Sequence, residues 1–185
     1  RMKGQDTVVP VFFGDGATEE GVFWESLNFA ALRKLSVVFV CENNHFAIHT
    51  PWNKRVPQPN YCERATAFDV PATRVADNNI VEIFKEATRL VAEARNGGPR
   101  FLEVETYRWR EHVGPSEDWH LGYRSKEEGE KWMTQDEMVR IGSMIPAAKR
   151  VEIEAECEAR IDAAFEFAEA SPFPEDEELY FDVFQ

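Results

Sequence analysis

Residues 7–42 read TVVPVFFGDGATEEGVFWESLNFAALRKLSVVFVCE, and this stretch decides the fold class. Residues 7–13 and 36–42 are short continuous apolar runs, which are typical of strands covered on both faces in a parallel sheet. Between them, apolar residues recur close to helical spacing over residues 19–34. Strand, glycine-rich break, helix and strand in this order predict a βαβ unit, whose crossover is almost always right-handed.

A second set of segments continues this alternation along the chain. Residues 71–76 and 100–107 are predicted strands, and the residues between them carry apolar side chains at helical spacing. Asp77 or Asn78 is the predicted cap of this helix, and the Gly-Gly-Pro sequence at 97–99 is typical of a helix end. Strands that alternate with helices favour the α/β class with a mostly parallel sheet.

Pro10 interrupts the first apolar run. A proline gives no hydrogen-bond donor to a sheet, so prolines occur at edge strands, at strand starts or at bulges. This residue argues against a fully central position for the first predicted strand.

The last third of the sequence has a different character. Residues 108–125 are polar and aromatic, and this segment is the predicted active-site loop because long structured loops in compact domains are usually functional. Residues 146–185 are the predicted carboxyl-terminal helix and tail, within a single domain that spans residues 1–185. The apolar residues of this helix that we expect to face inward are Val151, Ile153, Ile161, Ala164, Phe165 and Ala168.

Charge and composition exclude several classes of partner. The formal net charge is -13, so the chain lacks the basic surface with which proteins bind nucleic acids or anionic membranes. No apolar run reaches the length of about 18 residues that a membrane span needs. The three cysteines are widely spaced and favour a reducing compartment, the cytoplasm or, in a eukaryote, the mitochondrial matrix.

The Gly-Asp-Gly sequence at residues 14–16 has two interpretations. Asp15 and Gly16 are common turn residues, so a tight surface turn would explain them. The alternative is a cradle for a phosphate, because ligands bind at the carboxyl ends of the strands in open α/β sheets. In that case Asp15 would repel a bare phosphate but could hold a divalent cation that bridges to it.

Two asparagines follow the second predicted strand. Asn43 and Asn44 are also turn-compatible residues, but the βαβ geometry brings this strand end beside Asp15. An amide oxygen is a suitable ligand for magnesium or calcium. The sequence therefore predicts a cation site shared by two neighbouring strand ends.

These residues carry a resemblance to a known family. The Gly-Asp-Gly and Asn-Asn pair resembles the thiamine diphosphate motif of thiamine-dependent enzymes. More narrowly, residues 14–44, ETYRWREHVGP at 105–115 and EASPFPEDEELYFDVF at 169–184 are similar to the α subunit of the decarboxylating component of 2-oxo acid dehydrogenase complexes. This resemblance implies a three-layer α/β/α thiamine diphosphate-binding fold, of which the amino-terminal part is absent here.

The resemblance assigns roles to individual residues. It implies that Asp15 and Asn44 bind magnesium through their side chains and Phe46 through its main-chain carbonyl. It places Arg108 at the diphosphate and His112 in the catalytic loop, where the histidine positions the cofactor and assists acyl transfer. The residues expected to pack against or donate to the diphosphate are Gly14, Gly16 and Ala17.

The resemblance also implies an activity and partners. The expected reaction is oxidative decarboxylation of a small 2-oxo acid, such as pyruvate or a branched-chain acid, with acyl transfer to lipoamide. The expected partners are a β subunit, in an α/β heterotetramer, and the lipoyl-bearing acyltransferase component. Acetoin dehydrogenase, a transketolase-like enzyme and a truncated, non-catalytic subunit are the alternatives that the sequence leaves open.

Overall fold

The computed structural model describes residues 6–181, which contain six strands and six α-helices. The strands are β1 (Val9–Gly14), β2 (Val37–Asn43), β3 (Phe46–Ala47), β4 (Thr50–Pro51), β5 (Ala72–Val75) and β6 (Arg100–Glu105). The helices are α1 (Gly21–Leu32), α2 (Tyr61–Thr66), α3 (Ile80–Asn96), α4 (Lys126–Met133), α5 (Glu137–Met144) and α6 (Ala147–Ala170). The last four residues of the predicted tail, 182–185, lie outside the described part.

The main sheet has four strands in the order β1-β2-β6-β5, and every neighbouring pair is parallel. In the registers of these pairs, Gly14 lies opposite Glu42 and Asn43 lies opposite Glu105. The carboxyl ends of β1, β2 and β6 therefore meet at one edge of the sheet. The predicted parallel α/β sheet is confirmed.

Helices cover both faces of this sheet. On one face, buried residues of α1 and α2 pack against β2 and β6, with Leu27, Ala65 and Phe101 at the centre of the cluster. On the other face, Leu90 and Ala94 of α3 pack against alternate residues of the same strands. Two separate apolar clusters on the two faces make this a three-layer α/β/α fold.

The position of β1 explains Pro10. Within residues 6–181, β1 pairs only with β2, so it lies at the edge of the sheet. Pro10 lies opposite Val38, and an edge strand accommodates the missing donor on its open side. The apolar residues of β1 that remain exposed are Val9, Val11 and Phe12.

The cap of α3 differs by one residue from the prediction. The side chain of Asn79, rather than Asp77 or Asn78, accepts hydrogen bonds from the backbone N–H groups of Val81 and Glu82. The helix ends at the predicted glycines, and Gly97 has a φ of 131°, which favours a residue without a side chain. The carbonyl of Ala94 accepts from the N–H of Gly97 and closes the last turn.

The chain divides into two compact units, with the boundary after Glu137. This boundary falls within the range that the sequence predicts as one domain. In the second unit, α6 is exposed along its whole length, so the expected inward placement of Val151, Ile153, Ile161, Ala164, Phe165 and Ala168 is wrong. Helical spacing indicates which residues could share a face, but it does not supply a surface for that face to pack against. Among the described residues, no helix combines the length and apolarity needed to cross a membrane.

Candidate functional site

Two strand ends build the candidate site. Asp15 directly follows β1 and Asn44 directly follows β2, and adjacent strands in a sheet are only about 4.8 Å apart. A 3₁₀ turn (Asp15–Glu19) lies between β1 and α1, at the glycine-rich break in the sequence. The turn holds Asp15 in a position where only 1% of the residue is exposed.

Gly16 allows this turn to pack closely against the segment that follows β2. A Cβ atom added to Gly16 would lie 2.8 Å from the Cβ of Ala47 in β3. Real Cβ atoms do not approach one another so closely, so only glycine fits here without a shift of the backbone. Gly16 therefore has a steric role in bringing the two strand ends together.

We expect Gly16→Ala to lower the free energy of unfolding by about 1–3 kcal/mol, the usual effect of overpacking. The matched control is Gly21→Ala, because nothing lies within 4 Å of a Cβ built on Gly21. Urea denaturation of both variants measures the difference. Equal midpoints for the two variants would show that the turn tolerates the methyl group.

Arg55 connects the 3₁₀ turn after β1 with the hairpin after β2, and no sequence pattern indicated this role. Its Nη2 donates to Oδ2 of Asp15 and its Nη1 donates to Oε1 of Glu19. Its Nε donates to the carbonyl of Thr50 at 3.0 Å. Burial would lower the pKa of Arg55, but the hydrogen bond and charge of Asp15, with the charge of Glu19, outweigh it and raise the pKa.

A buried tyrosine lies close to this ion-pair cluster. The Tyr61 side chain is almost fully buried, and its hydroxyl makes no hydrogen bond within residues 6–181. Burial, and then the charge of Asp15, raise the pKa of Tyr61 to about 12. The hydroxyl therefore stays protonated at neutral pH, as a donor without a partner.

Asn43 and Asn44 have different surroundings. Asn43 is buried; its Nδ2 donates to Oε1 of Glu103 at 2.8 Å, and its Oδ1 accepts from the His45 N–H at 3.0 Å. Asn44 is half-buried, and its Oδ1 accepts from the Phe46 N–H at 3.0 Å. The first asparagine is thus held by the protein core, while the second stands at the strand end.

Glu103 is the buried acid that fixes Asn43. It lies in β6 with 1% of the residue exposed, and Arg74 Nε is 3.6 Å from its Oε1. The Cys62 Sγ also donates to its Oε2 at 3.5 Å. Burial and Glu103 raise the pKa of Cys62 to about 12, so this thiol is not a nucleophile at neutral pH.

A short hairpin, β3 and β4 with their turn (residues 46–51), lies between the strand ends and the predicted loop. The Phe46 ring packs edge-on against Tyr123 with centroids 5.4 Å apart, and the His49 ring lies 4.7 Å from the same tyrosine. Ile48, in the turn, has a φ of 54°, a region that β-branched residues avoid. The predicted role of the Phe46 carbonyl as a ligand stays a prediction.

Arg108 has free hydrogen-bonding capacity. Its Nη2 donates to Tyr123 Oη at 2.8 Å and to the Ile48 carbonyl at 3.3 Å. Its Nε and Nη1 are buried and make no hydrogen bond within residues 6–181. Buried donors without partners are rare in folded proteins, and they indicate a place for a group that accepts hydrogen bonds.

The predicted residues meet only in part. Gly14, Asn44 and Arg108 line one open depression of about 480 Å³, together with Glu42 and the neighbours of Arg108 in residues 106–110. Asp15 is buried and is not among the lining residues of the depression. Ala17 and His112, the other predicted site residues, are exposed on the 3₁₀ turn and on the loop.

A buried ion pair organises the loop, and sequence reasoning missed it. Arg124 donates to Asp118 Oδ1 from Nε at 3.0 Å and from Nη2 at 2.6 Å, and neither side chain is more than 1% exposed. Arg124 also donates to the carbonyls of Arg108 and Arg110, and its guanidinium lies 4.6 Å from the centre of the Trp119 ring. This pair therefore fixes the backbone that directly follows the Arg108 side chain.

The pKa of Asp118 reflects the same network. Burial alone would raise this pKa, but hydrogen bonds from Tyr123 and Arg124 outweigh burial and lower it. Tyr123 in turn donates to Asp118, and burial together with this bond raises the pKa of Tyr123 to about 12. At neutral pH the network consists of a carboxylate, a phenol and a guanidinium.

The residues present fit a magnesium-bound diphosphate. Within residues 6–181, no group of three His, Cys, Asp or Glu side chains is placed to hold a metal ion. One carboxylate with amide and carbonyl oxygens instead suits Mg²⁺, which keeps oxygen ligands from its substrate phosphates. The two unpartnered nitrogens of Arg108 are charged donors that could each bond a phosphate oxygen.

Comparison with known proteins shows the family of the chain. The family model described as dehydrogenase E1 component matches residues 1–177. The α subunit of acetoin:2,6-dichlorophenolindophenol oxidoreductase from Bacillus subtilis (strain 168) is 33% identical and covers 100% of this chain and 56% of its own length. The α subunit of 2-oxoisovalerate dehydrogenase from the same organism is 36% identical over 75% of this chain and 42% of its own. The pyruvate dehydrogenase E1 component subunit alpha of Rhizobium meliloti (strain 1021) is 31% identical over 99% of this chain and 54% of its own length.

A three-layer fold with polar residues at two neighbouring strand ends is typical of the α/β proteins that bind ligands at the edge of a parallel sheet. The chain belongs to the dehydrogenase E1 component family, as its resemblance to the α subunits predicted. It spans about half the length of the curated relatives it matches.

Proposed function

We propose that this chain is the cofactor-diphosphate part of a thiamine diphosphate-dependent α subunit that oxidatively decarboxylates a 2-oxo acid. The observation that carries this proposal is the depression at two neighbouring strand ends, which Gly14, Asn44 and Arg108 line, with two unpartnered guanidinium nitrogens on Arg108. Asp15 follows Gly14 directly in the chain. Membership of the family supports the cofactor. The substrate would be pyruvate-like or branched-chain, in line with two of the named relatives.

The chain's own residues would divide the work of holding the cofactor. Asp15, Asn44 and the Phe46 carbonyl would hold Mg²⁺, and Arg108 would donate to the diphosphate oxygens. The residues beside the diphosphate would be Gly14, Gly16 and Ala17. When bound, thiamine diphosphate supplies an electron sink for the loss of carbon dioxide.

The loop would complete the site above the cofactor. His112 is exposed on this loop, where a ring nitrogen could position the cofactor and assist acyl transfer to lipoamide. A β subunit, in an α/β heterotetramer, and the lipoyl-bearing acyltransferase would be the partners. The Asp118–Arg124 pair holds the backbone at Arg108 and Arg110, two residues before His112.

Binding of thiamine diphosphate tests this proposal. We expect calorimetric titration with Mg²⁺ and the β subunit present to show saturable binding, weakened at least about tenfold by Asp15→Asn, which is a loss of about 1.4 kcal/mol. The substitution keeps the size of the side chain and an oxygen for Arg55 but removes the charge. The matched control is Asp162→Asn on the exposed surface of α6. Equal affinity of the wild-type protein and Asp15→Asn would contradict the role of Asp15.

Oxidation of acetoin is a second candidate function. The relative that covers 100% of this chain is named for acetoin and an artificial electron acceptor. The two candidates differ in product, because only a 2-oxo acid releases carbon dioxide. Reduction of dichlorophenolindophenol, measured with acetoin and with 2-oxo acids in parallel and combined with a carbon dioxide assay, separates them.

A further inference from the structure

Arg55 joins the two segments that form the candidate cation site. Asp15 and Glu19 belong to the 3₁₀ turn after β1, whereas Thr50 belongs to β4, in the hairpin after β2. The guanidinium of Arg55 bonds all three residues with three different nitrogens. Its side chain is only 6% exposed, so this arrangement is shielded from water.

We propose that Arg55 is a positioning residue that fixes the Asp15 carboxylate for the cation, an inference that rests on the proposed function. Within residues 6–181, Arg55 is the side chain that hydrogen-bonds this carboxylate. Ligating carboxylates are themselves held by hydrogen bonds from residues behind them, and loss of such a partner usually weakens metal binding about 10- to 100-fold. Arg55 occupies that place through Oδ2 of Asp15.

The opposite role, in which Arg55 competes with the cation for Asp15, is less consistent with the contacts. To leave Asp15, the guanidinium would have to move away from its other acceptors, Glu19 and Thr50. Its planar fork is rigid, so the three bonds form together. The negative charge of Glu19 also offsets the positive charge that would repel a divalent cation. The contacts therefore describe a fixed support.

The two roles predict opposite signs for one measurement. Removing a positive charge beside a cation site would strengthen cation binding if charge repulsion dominated, whereas losing the support of Asp15 would weaken it. We use Mn²⁺ as the probe, because its free form is counted directly by electron paramagnetic resonance. The titration is made on the full chain with its β subunit, with and without thiamine diphosphate.

We expect Arg55→Gln to raise the Kd for Mn²⁺ about 10- to 100-fold. Arg55→Lys is expected to raise it as well, because a single ammonium group cannot span Asp15, Glu19 and Thr50. The matched control is Arg89→Gln, which removes an arginine that pairs with Glu86 and Glu93 on the exposed surface of α3 and leaves Mn²⁺ binding unchanged.

Three results would overturn the inference, and a fourth distinguishes it from the proposed function. Unchanged or tighter Mn²⁺ binding by Arg55→Gln would contradict the support of Asp15. A lower unfolding midpoint with an unchanged Kd would make Arg55 a purely structural residue. A Kd for Arg55→Lys equal to the wild-type value would show that charge, not the fork, matters. Failure of the wild-type protein to bind Mn²⁺ would refute the cation site itself.

A second variant covers the case in which Arg55→Gln does not fold. Glu19→Gln removes the charge from one anchor of Arg55 and leaves both Arg55 and Asp15 in place. We expect Glu19→Gln to raise the Kd for Mn²⁺ less than Arg55→Gln does, with the far-UV circular dichroism spectrum unchanged. A Kd equal to or below the wild-type value would count against the inference.

Discussion

Replacing Arg124 by methionine is expected to lower the free energy of unfolding by about 3–5 kcal/mol. The variant keeps a long side chain to pack among Tyr107, Trp119 and Tyr123, but it leaves the carboxylate of Asp118 buried without its cation. It also removes the donors to the Arg108 and Arg110 carbonyls. Urea denaturation at pH 7 measures the loss.

The loss of unfolding free energy in Arg124→Met is expected to depend on pH. The pKa of Asp118 is lowered in the folded protein, so its contribution to stability is present above the unfolded pKa of about 3.9 and is lost as the pH falls below it. Arg124→Met removes the hydrogen bonds and the charge of Arg124, so this pKa rises relative to that in the wild-type protein, and protonation relieves the buried charge at a higher pH. We therefore expect the deficit in stability to narrow as the pH falls from 7 towards 4.

Arg110→Met is the control for this variant. Arg110 lies on the same loop, but its side chain is 63% exposed and its ion pair with Glu117 is 4.0 Å long. Exposed pairs of this kind contribute about 0–1 kcal/mol. If Arg124→Met and Arg110→Met lost the same stability, the buried pair would not be what holds the loop.

Replacing Arg108 by methionine is expected to weaken the binding of thiamine diphosphate by about 2–5 kcal/mol, or at least about 30-fold. Two of its guanidinium nitrogens are buried without partners, so a bound diphosphate would receive charge-assisted bonds that the free protein does not already use. Calorimetric titration in the presence of Mg²⁺ and the β subunit measures the change.

Titration with two further ligands shows whether Arg108→Met loses binding free energy through the phosphate groups of the cofactor. Inorganic pyrophosphate should lose a similar factor in affinity, whereas thiamine without phosphates should bind both proteins equally. Arg89→Met, on the exposed surface of α3, is the control for removal of an arginine. Equal affinity of Arg108→Met and wild-type protein for both phosphate ligands would refute the assignment of Arg108.

The strand ends were predictable because they depend on local patterns. Apolar runs defined β1 and β2, and the connection between them had to be a parallel crossover, so Asp15 and Asn44 had to lie at the same edge. The resemblance then added Arg108. The edge position of β1 was indicated by one residue only, Pro10, which lacks a hydrogen-bond donor for a neighbouring strand.

Arg55, Glu103 and the Asp118–Arg124 pair were not predictable in the same way. Each acts through a partner distant in sequence or in an irregular segment, and no periodic pattern marks such a pair. Charged side chains in loops are usually solvated, so their burial is visible only once the backbone path is known. Asn43 did carry a signal, since a turn residue at a strand end needs a partner if it is buried.

The prediction for α6 failed for a different reason. The helix itself is present, as the sequence predicted, from Ala147 to Ala170. Burial, however, depends on what surrounds the helix. The sequence pattern therefore predicted that this segment is a helix, but it did not predict whether its side chains are buried.

The left-handed backbone conformation of Ile48 has a consequence for the order in which the parts of this protein fold. A β-branched residue in that region carries strain of about 1–3 kcal/mol, and it persists only where the surroundings overrule it. The surroundings here are distant in sequence: the Ile48 carbonyl accepts from Arg108, and the Tyr123 ring packs against the neighbouring Phe46 and His49. Contacts of high sequence separation cost more loop-closure entropy than local ones. We therefore expect the main sheet to form first during refolding. The turn at Ile48, beside the candidate site, is expected to reach its native conformation last.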